Sequence, residues 1–471
     1  MDKKWQVFFL VALSIFMSTL DSSIVNVALP YIMTDMSRTM ASIQWVVTVY
    51  LLFVSSFLMT FGRLSDIVGR PRIYRLGFGV FTIGSLLCAT SPNLGWLVFS
   101  RAVQGIGASM LMACSPALIV DVFEPQNRGK ALGLVGTSVA AGLTLGPVVG
   151  GFLLEYFSWP VIFYINIPVG VYALVCASRI FKNQKTDGSR EPMDFLGSLC
   201  MVCMVAGLVI LLVRLQDWGL FSFQTISCLL ISLGAAAGVA INAGKADHPI
   251  LDPGLFRIRM FVMPLAASLI MFSALFFLVF LMPFYLSLAC GFPPSRTGAM
   301  MIIPFILLLV VSPLAGTLSD RLGSSMLCST GMGCLALSLA FSATLTASAG
   351  IFEIFWRLAL AGLGIGLFIS PNSMAAMGAV PMARRGVASG AVATARNLGM
   401  VIGVALASGI FSHTFNRLTQ GIGLDHYSSE LSSFFMTGFK YAMFTGTAIA
   451  VVGIGVTIAR GKQTIKEIQN G

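Results

Sequence analysis

The sequence has few charged residues: lysine, arginine, aspartate and glutamate together make up 10% of its 471 residues, whereas soluble globular proteins carry about 25%. Apolar residues make up 57% of the chain. They recur in stretches of about 20 residues, the length at which a helix crosses the hydrocarbon core of a bilayer. The composition excludes a soluble protein and predicts a polytopic membrane protein.

Histidine is also scarce, and metal- and nucleotide-binding patterns are absent. The three histidines, His248, His413 and His426, fall in predicted loops. There is no Gly-x-x-x-x-Gly-Lys-Ser/Thr loop to cradle phosphates, and the nine cysteines lack the spacing of a zinc site or a disulfide framework. These absences argue against an intramembrane enzyme and against an ATP-driven pump. We expect neither a metal nor another cofactor.

Positive charge exceeds negative charge by 11 units, but the basic residues lie in the gaps between apolar stretches. There they orient helices across a bilayer, so we expect no nucleic-acid partner. Most of the 29 lysines and arginines fall on the side that holds both chain ends. The positive-inside rule therefore predicts that both termini are cytoplasmic. The first apolar stretch has no small-residue cleavage site, so we expect it to stay in the protein.

Hydropathy predicts fourteen membrane spans, an even number that places both termini on one side. The predicted spans are 6–33, 43–62, 73–91, 94–120, 131–154, 160–180, 195–214, 221–243, 261–288, 296–316, 325–347, 351–379, 389–411 and 437–459.

Three landmarks of the first half of the sequence recur about 254 to 257 residues later. A shared offset indicates two six-helix halves in parallel orientation, with spans seven and eight as an inserted hairpin. The recurring pairs are GRLSD at 62–66 and GTLSD at 316–320, Arg101 and Arg357, and the segments 128–133 and 385–390. The predicted domains are the N-terminal six-helix bundle at 1–180, the linker loops with the inserted hairpin at 181–259, and the C-terminal six-helix bundle with a cytoplasmic tail at 260–471.

The loop after the second predicted span reads GRLSDIVGRPR, from Gly62 to Arg72. Glycines at its bends allow two helices to turn sharply, and its charged side chains can pair with charges at neighbouring helix ends. Together with the two parallel halves, this loop resembles the signature loop of the major facilitator superfamily. The resemblance implies an all-α polytopic membrane protein of two pseudo-symmetric six-helix bundles plus an inserted two-helix hairpin, 14 transmembrane helices in all.

In that family the loop latches a cytoplasmic gate, although the charges could instead only orient the loop. The resemblance implies that Asp66 faces a helix N-terminus in the second half and that Arg70 pairs with Asp121. The sequence departs from the family pattern at Ile67, where a basic residue is usual, and at Ser324, which takes the place of Arg70 in the second copy. We expect the second latch to be weaker. The predicted gate residues are Gly62, Asp66, Gly69, Arg70, Arg72 and Asp121.

The fifth span contains glycines at four-residue spacing followed by a Gly-Pro pair. Small residues at this spacing permit close helix packing, and the proline frees a backbone carbonyl. The pattern resembles the motif of proton-coupled exporters within the superfamily and implies antiport rather than uptake. The residues of this pattern, which we call the antiporter motif, are Gly142, Gly146, Pro147, Gly150 and Gly151.

The first span reads LDSSIVNVALP from Leu20 to Pro30, which resembles a motif of the fourteen-helix drug:proton antiporters. Asp21 lies about 18 Å from the outer end of this span at 1.5 Å per residue, and an acid at that depth needs water, a cation or a proton. We expect Asp21 to be the proton site, with a purely structural aspartate as the alternative.

Arg101 and Gln104 in the fourth span resemble a further superfamily motif associated with proton coupling. Arg101 lies about 10 Å from the outer end, so we expect that direct pairing with Asp21 requires a long reach or a water. The predicted proton-coupling residues are Asp21 and Arg101. The candidate substrate-cavity residues are Asn26, Trp45, Tyr50, Gln104, Asn372 and Arg396.

The predicted function is a proton-coupled antiporter of the bacterial inner membrane that exports hydrophobic, cationic or amphipathic compounds by alternating access. Protons are the coupling ion, and lipid and a small-molecule substrate are the expected partners. We expect a monomer, and the resemblance allows a periplasmic adaptor. The alternative is export of a specific metabolite or lipid, such as an organic anion, a sugar or a lysophospholipid, with Arg101 and Arg396 as anion contacts.

Overall fold

The computed structural model describes residues 2–182, 194–219, 221–244, 254–381 and 385–460. Within these ranges the chain is helical and has no strand. The helices are α1 (Lys3–Asp35), α2 (Met40–Ile43), α3 (Trp45–Val68), α4 (Arg70–Ala89), α5 (Leu94–Val122), α6 (Pro125–Tyr156), α7 (Val161–Tyr164), α8 (Asn166–Ile180), α9 (Phe195–Trp218), α10 (Phe223–Ala243), α11 (Arg259–Phe284), α12 (Pro294–Met301), α13 (Ile303–Leu322), α14 (Ser324–Ser342), α15 (Ile351–Gly378), α16 (Arg385–Leu418) and α17 (Ser432–Ala459).

Thirteen helical segments of the described chain are long and apolar enough to cross a membrane. The remaining predicted span, 73–91, corresponds to α4, which has 20 residues and is long enough to cross as well. Its first turns carry Arg70, Arg72 and Arg75, and these arginines lower its hydropathy. The all-helical architecture with a membrane-spanning bundle confirms the predicted fold class.

Two predicted spans are each divided into two helices near a proline. The sixth span breaks at Ile165 between α7 and α8, and the tenth breaks at Ile302 between α12 and α13. Pro168 and Pro304 lack the backbone N–H that would bond to the carbonyl four residues earlier. The missing backbone hydrogen bond explains why each helix is interrupted at this position.

The two halves repeat the same helix contacts. In the first half a Cβ atom at Gly146 would lie 2.6 Å from the Ser23 Oγ, so α6 packs closely on α1. In the second half a Cβ atom at Gly403 would collide with the Ser273 carbonyl oxygen, so α16 packs closely on α11. The two glycines are 257 residues apart, which is the offset of the sequence repeat. The antiporter motif therefore has a partial counterpart in the second half.

The inserted hairpin, α9 and α10, contacts both halves through α9. The buried apolar side chains of α9 recur every four residues on one face of the helix; they are Met201, Val205, Val209 and Val213. The helix contacts α3 of the first half and α16 of the second. By contrast, α10 packs on α9 and exposes apolar side chains such as Leu230 and Ile231. We infer that α9 bridges the halves and that α10 faces lipid.

Candidate functional site: a buried charge cluster in the first half

The side chain of Asp21 lies in the middle of α1 and is fully buried. Its Oδ2 atom accepts a hydrogen bond from the Arg101 Nη1 at 2.5 Å. Its Oδ1 atom accepts from the Gln104 Nε2 and from the Asn166 Nδ2, both at 2.8 Å. Both carboxylate oxygens are therefore occupied by donors from two other helices, α5 and α8.

The guanidinium of Arg101 is 1% exposed and is surrounded by acceptors. Besides Asp21, its Nη1 donates to the Gln104 Oε1 at 2.5 Å and its Nε donates to the Val46 carbonyl oxygen at 3.0 Å. The guanidinium carbon lies 4.1 Å from the centre of the Tyr50 ring, a cation–π contact. An ion pair is tolerated in a low-dielectric interior when such further contacts satisfy it.

Asp21 and Arg101 pair directly, with 2.5 Å between the Arg101 Nη1 and the Asp21 Oδ2. Residue counting measured depth along two helix axes from their outer ends. It ignored the tilt of transmembrane helices, which averages about 20°, and the length of the arginine side chain. Of the two predicted routes to pairing, the reach of the arginine side chain therefore makes the contact, and no bridging water is needed.

Two members of the cluster were not predicted from the sequence. Asn166 begins α8 directly after the break at Ile165, which places its amide against Asp21. Ser85 on α4 accepts a hydrogen bond from the Gln104 Nε2 at 2.8 Å. A lone polar residue in an apolar span is a signal of function or of a helix contact, and Asn166 carries that signal.

The remaining cavity candidates lie in different surroundings. Tyr50 and Gln104 belong to the Asp21 cluster. The centre of the Trp45 ring, by contrast, lies 5.7 Å from the guanidinium carbon of Arg214 on α9. The Asn26 Nδ2 donates to the Ser22 carbonyl oxygen, and its buried Oδ1 has no partner among the described residues.

Asn372, the candidate on α15, has its amide occupied within the second half. It donates to the Pro264 carbonyl oxygen at 2.9 Å and to the Ser268 Oγ at 2.8 Å, and it accepts from Arg460 at 3.3 Å. This bonding makes Asn372 a link between α15, α11 and the end of α17.

The predicted contact between Arg70 and Asp121 is present, at 2.5 Å. The same arginine donates from its Nε and Nη2 to the Asp66 Oδ1 at 3.0 and 2.8 Å. Gly69, at the turn between α3 and α4, has a φ of +105°, a conformation that glycine adopts at little cost. The charges thus join the predicted cytoplasmic ends of α3, α4 and α5.

The partner expected for Asp66 in the second half remains a prediction. Within the described chain Asp66 pairs with Arg70, while residues 382–384, which precede α16, lie outside that chain. Gly62 lies within α3 with open space around it, and Arg72 is exposed at the start of α4.

The second copy of the loop has the same turn but a different cation. Gly323 has a φ of +85°, as Gly69 does in the first copy. Ser324 accepts a hydrogen bond at 2.6 Å from the Nη2 of Arg460, at the end of α17. A buried arginine from the last helix therefore contacts the position at which the first copy carries its own arginine. That the second latch is weaker remains a prediction.

The family model of the Major Facilitator Superfamily matches residues 11–404. The chain belongs to this superfamily. A riboflavin transporter, RibZ of Clostridioides difficile, is 33% identical over 470 residues, which are 99% of this chain and 100% of RibZ. The multidrug resistance protein Stp of Mycobacterium tuberculosis is 32% identical over 85% of this chain and 74% of its own length. The tetracenomycin C resistance and export protein of Streptomyces glaucescens is 28% identical over 86% and 75%.

Solved structures of the superfamily share the fold. The POT family transporter PepTSo aligns over 98% of both chains with a TM-score of 0.69 and 16% identity. A bacterial homologue of the human lysosomal transporter Spinster, in an inward-facing conformation, aligns over 98% of this chain and 97% of its own with a TM-score of 0.67 and 14% identity. The predicted family is confirmed.

Within this superfamily fold, the antiporter motif holds α1 on both sides of Asp21. A Cβ atom at Gly142 would collide with the Thr19 Oγ1, and one at Gly150 would lie 2.6 Å from the Ile24 Cγ1. Pro147 leaves the carbonyl of Leu143 without its helical donor. That oxygen accepts a hydrogen bond from the Ser23 Oγ at 3.0 Å. The motif thus fixes the helix that carries the buried acid.

The far end of the same motif touches the second half. A Cβ atom at Gly151 would lie 2.5 Å from the Pro294 carbonyl oxygen, and one at Gly298 would collide with the Pro147 carbonyl oxygen. Glu155 accepts a hydrogen bond from the Ser295 backbone N–H at 2.9 Å. The two halves therefore meet at backbone distance at the predicted outer ends of α6 and α12.

Proposed function

We propose that this transporter is a secondary antiporter, which takes up protons while it exports amphipathic organic compounds by alternating access of its two halves. The observation that supports this proposal is the buried pair of Asp21 and Arg101. Among the acids whose side chains the structure describes, Asp21 is the one in the middle of a span. An acid held there is a candidate coupling site.

The proposed coupling step moves one proton on and off Asp21. Protonation neutralises the carboxylate and ends its ion pair with Arg101, which keeps its bond to the Val46 carbonyl. Helix α1 also packs on α11 of the second half. The strength of the Asp21–Arg101 ion pair between α1 and α5 therefore affects the relative orientation of the two halves. Proton binding then shifts the population of the two orientations.

Export rather than uptake is supported by the antiporter motif and by two relatives whose names describe drug resistance or export. A second candidate is transport of one specific metabolite. It is favoured by the match to the riboflavin transporter RibZ, which spans both chains almost completely. The breadth of the substrate range separates the two candidates.

A cationic substrate, which the sequence suggested, gains little from this site. Both oxygens of Asp21 already accept hydrogen bonds from Arg101, Gln104 and Asn166. A cation would have to displace the arginine to reach the carboxylate. We therefore propose an amphipathic substrate, and the geometry around Asp21 does not support a cationic one.

The proton gradient supplies the free energy for export. One pH unit is worth about 1.4 kcal/mol for each proton, and the membrane potential adds about 2.3 kcal/mol per charge for each 100 mV. A neutral compound exchanged for one proton draws on both terms. We further propose that the protein lies in a bacterial inner membrane as a monomer with both termini cytoplasmic, and that it catalyses no chemical reaction.

The proposal is tested with purified protein in acidified liposomes that contain a pH-sensitive dye. A panel of neutral drugs, riboflavin, organic anions and lipophilic cations is added outside. We expect some of these compounds to cause proton release. Asp21→Asn should abolish the release, because an amide side chain does not take up and release a proton as a carboxylate does. Asp35→Asn, the same change at the exposed end of the same helix, keeps the release.

Two results would contradict the proposal. Transport of a labelled ligand without proton release shows that the protein moves that ligand by another mechanism. Proton release that survives in Asp21→Asn retains antiport but rejects Asp21 as the proton site.

A further inference from the structure

Arg396 carries a positive charge that no described residue neutralises. It lies on α16 about 16 Å from the start of that helix, and its guanidinium carbon is 5.9 Å from the centre of the Phe272 ring on α11. Its Nε atom is buried and has no hydrogen-bond partner. The residue as a whole is half-buried, and its Nη1 and Nη2 atoms, unlike Nε, are not fully buried.

The surroundings of Arg396 differ from those of the other arginines inside the spans. Arg101 has the Asp21 carboxylate. Arg357, its counterpart in the second half, donates to the carbonyl oxygens of Phe341 and Glu353 at 2.9 and 2.7 Å. The described residues provide no such acceptor to Arg396, although an isolated charge inside a membrane protein is costly.

The same turn of α16 contains two further polar groups without partners. The Asn397 Nδ2 and the Thr394 Oγ1 are both buried and have no hydrogen-bond partner among the described residues; the two side chains are 4% and 5% exposed. Each of the three groups can donate a hydrogen bond. Buried donors are normally satisfied, so this turn is short of acceptors.

We propose that Arg396 binds the negatively charged group of the transported compound, and that the substrate class is an amphipathic organic anion. This inference rests on the proposed transport function and specifies its substrate. The anion supplies the acceptor atoms that the Arg396 guanidinium lacks, and its apolar part suits the phenyl ring of Phe272 beside the guanidinium. The Asp21–Arg101 pair is neutral overall, so Arg396 leaves the interior with an excess positive charge.

The sign of the substrate charge has a measurable consequence for transport. One proton exchanged for one cation moves no net charge, and exchange for a neutral compound moves one charge. Exchange for a monovalent anion moves two charges per cycle in the same direction. An inside-negative membrane potential then drives anion export more strongly than export of either alternative.

Binding is tested with three fluorescent probes that share one aromatic body: pyrenebutyrate, the corresponding amide and the corresponding trimethylammonium compound. We expect the wild-type full-length protein to bind the carboxylate about tenfold or more tightly than the other two, the scale of one charge-assisted hydrogen bond. Arg396→Gln should lose that preference, while Arg396→Lys should retain most of it. Thermal unfolding of each variant verifies that it is folded.

The matched control is Arg417→Gln, which removes an arginine from the exposed outer end of the same helix. It should leave the affinity for all three probes unchanged. Equal binding of carboxylate and amide by the wild type would overturn the inference. So would no binding of the carboxylate, or an Arg396→Gln variant that keeps the full preference.

The liposome assay separates this inference from the proposed function. Proton release in response to the trimethylammonium probe alone would keep proton antiport and reject the anion. Binding of the carboxylate that depends on Arg396, without any proton release, would keep the anion site and reject proton antiport. If both hold, transport of the carboxylate should depend on membrane potential with two charges per cycle.

Discussion

The Asp21 carboxylate can be buried in a membrane span because hydrogen bonds from Arg101, Gln104 and Asn166 replace those it would make with water. Removal of one partner of a buried ion pair is more harmful than removal of both, since the remaining charge has no compensation. The pair is therefore a place where single and double substitutions give distinct results.

Arg101→Met should destabilise the protein by about 3–5 kcal/mol, because it leaves the Asp21 carboxylate buried without a cation. The double variant Asp21→Asn with Arg101→Met should recover part of this loss, since no uncompensated charge remains. Thermal or denaturant unfolding in detergent measures both effects. A double variant that is less stable than Arg101→Met would show that the pair does not act as a unit.

At this scale the sequence identified the charged residues of the cluster and missed some of the polar ones. Asp21, Arg101 and Gln104 stand out because charge and amide groups are rare in apolar spans. Ser85 does not stand out, since serine commonly bonds to the backbone of its own helix, as Ser85 also does with Phe81. Its contact with Gln104 depends on how α4 packs against α5.

Among the elements, the contact between α6 and α1 links the antiporter motif to the buried acid. Pro147 frees the carbonyl of Leu143, and Ser23 satisfies it two residues from Asp21. The sequence predicted that a carbonyl would be freed but not which donor would reach it. That donor is on a helix 120 residues away in the chain.

Ser23→Ala should cost about 1 kcal/mol, because the Leu143 carbonyl then lacks any donor. The same change should cost less in a Pro147→Ala background, where residue 147 regains the N–H that bonds to this carbonyl. A double-mutant cycle of unfolding free energies measures the difference. Ser22→Ala serves as the neighbouring control, and an equal cost of Ser23→Ala in both backgrounds would refute the proposed coupling.

The helices themselves were largely predictable, whereas their interruptions were not. Apolar length fixed the spans, and the predicted span 94–120 matches α5, Leu94–Val122. The divisions at Ile165 and Ile302 were not predicted because a proline in a membrane helix often only bends it. Arg70, Arg72 and Arg75 lower the hydropathy of α4, although hydropathy still predicted a span at 73–91.

On the scale of the whole molecule, the halves touch at the predicted outer ends of α6 and α12, where Gly151 and Gly298 bring two backbones together. Any movement that opens this side must separate these glycines. The contact tolerates no side chain at either position, so a substitution at either glycine tests the proposed alternation between two orientations of the halves.

Gly151→Ala should shift the transporter towards a state in which the outer ends of α6 and α12 are farther apart. Its Cβ would lie 2.5 Å from the Pro294 carbonyl oxygen, closer than van der Waals contact permits. Spin labels at these two ends, measured by double electron–electron resonance, report the separation.

Gly136→Ala is the matched control, because it lies on the same helix with open space around it. It should leave the distance distribution of the spin labels unchanged. If Gly151→Ala also leaves the distribution unchanged, the glycine contact does not determine the outer arrangement.

The sequence by itself determined the membrane class, the two parallel halves, the superfamily and the acid at residue 21, because hydropathy, repeats and rare charges are local properties of the chain. Only the tertiary structure decided that Asp21 and Arg101 touch, that Asn166 joins them and that Arg460 reaches Ser324. It also showed that Arg396 has no hydrogen-bond or ion-pair partner in the described chain. These facts depend on helix tilt, packing and side-chain reach, which join residues that are far apart in sequence.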